Sequence, residues 1–167
     1  EGNLEYFQGG LGDYPSGGHY GSVWLDFDND RDVDMFIAKC GGESERRDNE
    51  MHVNNGDGTF TESGASLNLE DDMQTWSSAW ADYDNDGDLD GWIGASTFNS
   101  GFHRLMRNNG NGTFTDVINA SGLTEFNVTS IENQTYDFDN DGYADIVSGG
   151  VILYGNGDLT FTISSTN

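Results

Sequence analysis

Carboxylates stand at positions 1, 3, 5 and 9 of the nonapeptide Asp82-Tyr83-Asp84-Asn85-Asp86-Gly87-Asp88-Leu89-Asp90, alternating with residues free to point away. A tight turn converges Asp82, Asp84, Asp86 and Asp90 on one point, where four like charges repel one another unless a cation lies between them. Hard oxygens in an irregular array suit Ca²⁺, which takes about six to eight ligands; a backbone carbonyl at position 7 and water complete the set. Mg²⁺ suits it less, because it dehydrates reluctantly and demands a near-ideal octahedron. Gly87, at position 6, fits a turn that needs positive φ, where a Cβ is penalised.

The elements that position such a loop are read from its flanks. Near-copies begin at Asp26 and Asp137, and position 12 is Ile37, Ile93 or Ser148, where the helix-flanked EF-hand loop has a bidentate Glu. The flanks Ser22-Val23-Trp24-Leu25, Asp34-Met35-Phe36-Ile37-Ala38, Ala79-Trp80-Ala81 and Gly91-Trp92-Ile93 are rich in β-branched and aromatic residues and read as short strands. Each acidic loop therefore joins the two strands of a hairpin.

The first Asp residues lie 56 residues apart (26 to 82) and then 55 apart (82 to 137), a period expected of propellers and solenoids. A second landmark recurs in each unit: Asn55-Gly56-Asp57-Gly58-Thr59-Phe60, Asn109-Gly110-Asn111-Gly112-Thr113-Phe114 and Asn156-Gly157-Asp158-Leu159-Thr160-Phe161. It reads as a hairpin turn into a further strand. Met51-His52-Val53, Leu105-Met106 and Val151-Ile152-Leu153-Tyr154 read as the strand before that turn. Four antiparallel strands per unit is the make-up of a propeller blade. The link between the second and third strands runs from Cys40 to Asn49, from Ala95 to Gly101, and shrinks to about Ser148-Gly149-Gly150 in the third unit. Long links at one place in a repeat mark a binding face.

Residues 20–163 thus read as one all-β domain of three repeats, about 20–74, 75–130 and 131–163, after an N-terminal segment, 1–19. Within that segment Glu1 to Gly9 resembles a viral-protease cleavage tag interrupted by Gly2 and Glu5. Gly2-Asn3-Leu4-Glu5-Tyr6-Phe7 matches the fourth strand of each unit better, and reads as an outer strand that has lost its own blade and seeks another chain.

Thirty acidic residues stand against six Lys and Arg in 167 residues, a net charge of −24. That balance argues against nucleic acid or an anionic membrane as partner, and much of the charge sits in the loops, so a metal-free form is expected to be poorly stable. Only 34% of the residues are hydrophobic, with 24 glycines and one proline, as short strands and many tight turns require. The single cysteine, Cys40, excludes an intramolecular disulfide and reads as a small packed strand-end residue. No apolar run is long enough for a membrane-spanning helix. N-x-S/T sequons stand at Asn111, Asn119, Asn127 and Asn133, which makes glycosylation an expectation.

Asp-x-Asp-Asn-Asp-Gly-x-x-Asp followed by Asn-x-Gly-Asp-Gly-Thr-Phe-Thr resembles the FG-GAP/VCBS repeats of secreted bacterial proteins, which are related to the calcium-binding blades of the integrin α-subunit propeller. The resemblance covers roughly residues 20–163 and implies a β-propeller of blades with one Ca²⁺ in each first loop, about three per chain. It implies as side-chain ligands Asp26, Asp28, Asp30 and Asp34, then Asp82, Asp84, Asp86 and Asp90, then Asp137, Asp139, Asp141 and Asp145. Carbonyls of Asp32, Asp88 and Tyr143 take position 7. The first loop departs from the pattern with Arg31 in place of Gly87 and Gly142. A side chain there costs on the order of 1 kcal/mol, so this site is expected to be the weakest.

Three function classes follow. Catalysis finds little support: His19, His52 and His103 share no motif with a nucleophile, and a saturated oxygen-only loop leaves no open metal position. A binding module for a glycan or protein is the second. Trp24, Trp80 and Trp92 read as core between units, and Trp76, placed in the inter-unit link, as the better exposed contact. The third is favoured, an extracellular, calcium-stabilised, self-associating structural protein, because propellers typically carry about four to eight blades and three leave edges. Head-to-tail addition gives a homo-oligomeric filament or tubule, and two-fold closure a six-bladed ring.

Overall fold

Runs of β-branched, aromatic and small residues, each closed by Gly, Asn, Asp or Ser, set the strands. The computed structural model describes residue 11, residues 18–42 and residues 47–164. The first unit is β1 (Gly18–Leu25), β2 (Asp34–Cys40), β3 (Glu50–Asn54) and β4 (Phe60–Glu62); the second is β5 (Thr75–Ala81), β6 (Asp90–Ala95), β7 (Arg104–Asn108) and β8 (Phe114–Asp116). The third is β9 (Asn133–Tyr136), β10 (Asp145–Ser148), β11 (Val151–Gly155) and β12 (Phe161–Ile163). Each unit is one four-stranded antiparallel sheet in sequence order. The all-β reading holds: the described residues include one short 3₁₀ turn, Ile118–Ala120, and no other helix.

Register repeats as the sequence does. Leu25 faces Asp34 and Ala81 faces Asp90 at the loop end of the first hairpins, and each hairpin carries a bulge at its far end, at His19/Gly21 and at Thr75/Ser77. The strands β1, β5 and β9 lie side by side, β1 against β5 and β5 against β9, so the three sheets stack face on face.

The core therefore lies between sheets. One cluster joins Phe27, Phe36, Met51 and Leu69 of the first unit to Trp80, Ile93, Met106 and Phe114 of the second; the other joins Tyr83, Trp92 and Leu105 to Ile146, Leu153 and Phe161. Aromatic edges set the contact, as where Phe36 meets Trp80 at 5.0 Å, a geometry favoured by the ring quadrupoles.

Several expectations need correction. The segments between units are more than connections: Leu67, Leu69 and Met73, then Leu123 and Phe126, are buried in the two clusters. Trp80 and Trp92 are core, but Trp24 is 55% exposed, because no described sheet precedes the first. Trp76 lies in β5, half-buried, stacked on Tyr20 at 4.7 Å and donating its indole N–H to Cys40 Sγ. Cys40 is buried at the end of β2, as read. Of the sequons, Asn133 is buried and spends its amide on Ser77 and Trp92, while Asn111, Asn119 and Asn127 are exposed. The strand read at residues 2–7 lies outside the described residues.

Candidate metal centres

Each acidic loop folds on its own carboxylates. In the second, Asp82 accepts the amides of Asp86 and Gly87 at 3.1 and 3.0 Å, and Asp86 accepts that of Asp88 at 2.9 Å. The third repeats this, with Asp137 accepting from Asp141 and Gly142, and Asp141 from Tyr143. The first keeps the Arg31 amide on Asp26 at 3.1 Å and Asp32 on Asp30. Two left-handed residues bend each loop. Position 4 is Asn29, Asn85 or Asn140 with φ of 61, 60 and 62°, and position 6 is Arg31, Gly87 or Gly142 with φ of 78, 97 and 94°. Gly87 and Gly142 match the expectation, and a Cβ built on either meets nothing within 4 Å, so the demand is purely conformational. The Asn at position 4 was missed, although its type was legible: Asn tolerates this region better than other side chains.

The position-9 aspartates have a second job. Asp90 is fully buried and accepts the Tyr83 amide of its own loop at 3.1 Å and the Asn108 amide at the end of β7 at 2.8 Å. Asp34 does the same with Phe27 and Asn54, and Asp145 with Phe138 and Gly155. Each thus clamps the acidic loop to the turn after the third strand, a role that spacing alone does not reveal.

Carboxylate oxygens approach within 4.8 Å of one another in three groups: Asp26, Asp28 and Asp34; Asp82, Asp84 and Asp86; Asp137, Asp139 and Asp145. Positions 1 and 3 therefore meet in every loop. They are joined by position 9 in the first and third loops and by position 5 in the second. Asp30, Asp90 and Asp141 stand outside the tight groups, held by the amides described above. At position 7 the Asp88 carboxylate turns away to Asn29, 2.8 Å off; the Asp32 carboxylate lies over Gly56 and the Tyr143 ring over Gly157.

Crowding has an electrostatic signature. Burial, then the neighbouring Asp30, raises the Asp28 carboxyl above its ordinary range, and burial followed by Asp86 does the same to Asp84. Asp34 is raised by burial against the pull of two amides, and Asp90, buried beside Asp84 and Asp86, is pushed up to about 7. Asp26 Oδ1 and Asp84 Oδ1 are buried without a hydrogen-bond partner. Such orphaned oxygens are rare unless something unseen satisfies them. Oxygen-only donors, mutual repulsion and unsatisfied lone pairs all fit a hard divalent cation.

A model of the FG-GAP-like repeat matches residues 26–91 and 93–148. The chain belongs to the FG-GAP-like repeat family. The first matched span opens on Asp26 and holds the first two acidic loops, and the second holds the third. No curated protein matches the chain. The histidines of this FG-GAP-like chain make their described contacts outside the acidic loops. His103 is sandwiched by Trp92 and Phe126, while His52 rests on Glu50 and His19 meets Lys39 Nζ.

Proposed function

We propose that this FG-GAP-like chain is a non-catalytic, calcium-stabilised extracellular structural module that associates with further copies of itself, its three sheets being propeller-like blades of one domain over residues 20–163. The observation that carries the reading is the threefold recurrence of a carboxylate cluster with crowded oxygens at the first hairpin of a sheet. Two of the three clusters hold a buried, unpartnered carboxylate oxygen. About three Ca²⁺ ions per chain would be held by the aspartates at positions 1, 3, 5 and 9 with the position-7 carbonyl, and would supply charge neutralisation and cross-linking of loop to strand. The loops are largely exposed, which suits the weak sites, roughly 10⁻⁴–10⁻³ M, of extracellular modules. No helix among the described residues is long and apolar enough to cross a membrane.

Calorimetric titration of the chelated protein with Ca²⁺, paired with thermal melts in Ca²⁺ and in EGTA, tests the metal role. Heat for about three sites and a large Ca²⁺-dependent rise in melting temperature are expected, and identical melts in both conditions would sink it.

A second reading, a glycan- or protein-binding module, is favoured by one surface. The link after β6 presents Phe102, 70% exposed, against Phe98, at the mouth of a cavity of about 210 Å³ lined also by His103, Leu123 and Phe126.

A further inference from the structure

Both internal junctions use the same donor and ring positions of the preceding loop, although the acceptor of the Asn differs between them. The position-4 Asn of one loop donates to the next unit: Asn29 Nδ2 to the Gly87 carbonyl and Asp88 carboxylate at 3.3 and 2.8 Å, Asn85 Nδ2 to the Gly157 carbonyl at 3.4 Å. The position-2 ring packs on the phenylalanine that opens the next unit's fourth strand, Phe27 on Phe114 and Tyr83 on Phe161, at 6.0 and 5.5 Å. The backbone amides of Phe114 and Phe161 in turn donate to the Leu67 and Ser121 carbonyls of the preceding unit. Every unit thus has a face that receives its successor and a face that meets its predecessor.

Among the described residues, nothing covers the receiving face of the third unit as the second unit covers that of the first. Phe138 holds the place of Phe27 and Tyr83 and is 41% exposed where they are 3% and 1%. Val147 and Ile152 hold the places of the fully buried Phe36 and Met51, and are only half-buried. Asn140 has the backbone conformation of Asn29 and Asn85 and is exposed. The first unit presents the complementary face at its loop end. Trp24, in the place of Trp80, is exposed, and Phe60, in the place of Phe114, is half-buried. The Asp32 carboxylate lies over Gly56 as that of Asp88 lies over Gly110, 2.8 Å from a Cβ built on either glycine, so it is set to accept as Asp88 does.

Charge supplies the reason for a second copy. At the first junction, position 6 of the following loop lies against the preceding position-4 Asn, as Gly87 lies against Asn29. In the first unit that position is Arg31, an exposed residue in the left-handed region at φ 78°. A docked copy in the register of the first junction would set Arg31 at Asn140, whose loop neighbours are Asp139 and Asp141, bringing a cation to an acidic loop. We propose that the receiving face of the third unit docks the first unit of a second copy in the register of the internal junctions. Phe138 packs on Phe60, Asn140 donates to Asp32, and Arg31 brings its charge to the acidic loop that carries Asp139 and Asp141. The inference deepens the self-association reading and rests on it. The contact is heterologous, so copies add head to tail.

Sedimentation velocity of the full chain in Ca²⁺ over a concentration series tests it, with Phe138→Glu, Trp24→Glu and Phe60→Glu. The wild type is expected to grow beyond the monomer with concentration. Each variant alone should associate roughly tenfold more weakly or worse, as loss of one central aromatic predicts. An equimolar mixture of Phe138→Glu with either other variant should stop at dimers, because each retains one intact face. Trp24→Glu, at an exposed site, keeps the test valid if Phe60→Glu fails to fold. A wild type that stays monomeric overturns the self-association reading and this inference with it, leaving the face to a different protein. A wild type that assembles regardless of the substitutions, or a mixture that grows past dimers, overturns the register alone.

Discussion

Asn29 reaches across a unit boundary to donate to the Asp88 carboxylate at 2.8 Å, while its own backbone holds φ at 61°. One residue therefore bends its own loop and ties it to the next. Asn29→Gly keeps the backbone conformation and removes the tie, whereas Asn29→Ala loses both. The glycine variant is expected to lose about 1 kcal/mol, the net worth of one hydrogen bond, and the alanine variant about 1 kcal/mol more from the left-handed penalty. A cycle with Asp88→Ala in urea melts checks the tie: a coupling energy near zero would show that the two residues meet without consequence.

Asp84 and Asp90 share a loop, but their substitutions should depend differently on chelation. Asp84 has a buried oxygen with no hydrogen-bond partner and sits against Asp86, so its carboxylate is a liability without a cation. Asp84→Ala should lower the melting temperature strongly in Ca²⁺ and leave it unchanged or raised in EGTA. Asp90 accepts two backbone amides in the interior, and removing it strands both. Asp90→Ala should cost about 2 kcal/mol or more in either condition. Equal losses for Asp84→Ala in both conditions would remove it from the metal site.

Arg31→Gly places the residue of the other two loops into the first. With φ at 78°, the substitution relieves a left-handed side chain and should stabilise the monomer by roughly 1 kcal/mol. Gly87→Ala should cost a similar amount, since the new Cβ meets nothing within 4 Å and only the backbone preference changes. Chemical denaturation at a concentration too low for association reads both; a destabilised Arg31→Gly would mean that the guanidinium itself supports the loop.

Strand order and loop placement were legible because hydrophobic runs, acidic nonapeptides and Asn-Gly turns recur in the same order in each unit, and a single alignment positions all three units. What stayed hidden depends on neighbours. Trp24 and Trp80 hold equivalent positions, yet one is exposed and the other is core, because the difference lies in whether a sheet stands on that side. The burial of Leu67 and Leu123 in the segments between units stayed hidden, since the apolar residues of an irregular segment have no period to betray a buried face. The clamp made by Asp34, Asp90 and Asp145 on the following turn was invisible for a related reason: its acceptor role is fixed by a strand pairing, and the donors are backbone amides common to every residue type.

His103 gives the fold a pH dependence outside the acidic loops. Its Nδ1 accepts the Ala95 amide and its Nε2 donates to the Val128 carbonyl, both at 3.0 Å, so the ring is neutral and saturated. Burial holds its pKa down at about 4, from an ordinary 6.5. A depressed folded-state value means that the unfolded chain takes the proton first. The stabilisation is therefore fully present above pH 6.5 and is lost as pH falls from 6.5 to 4, by on the order of 3 kcal/mol. Glu50 continues the trend at lower pH: burial opposes its charge, but the hydrogen bonds from His52 and Lys39 win and bring its pKa down to about 2. Its share is present above pH 4.5 and drains away below it. Asp90, pushed up to about 7, titrates over the same range, so the measurement is a difference. Urea melts of wild type and His103→Phe from pH 8 to 4 should show the variant less stable at pH 8 by about 1–3 kcal/mol, from the stranded Ala95 amide. The gap should narrow steadily below pH 6.5; a gap that stays constant would mean that His103 does not resist protonation in the fold.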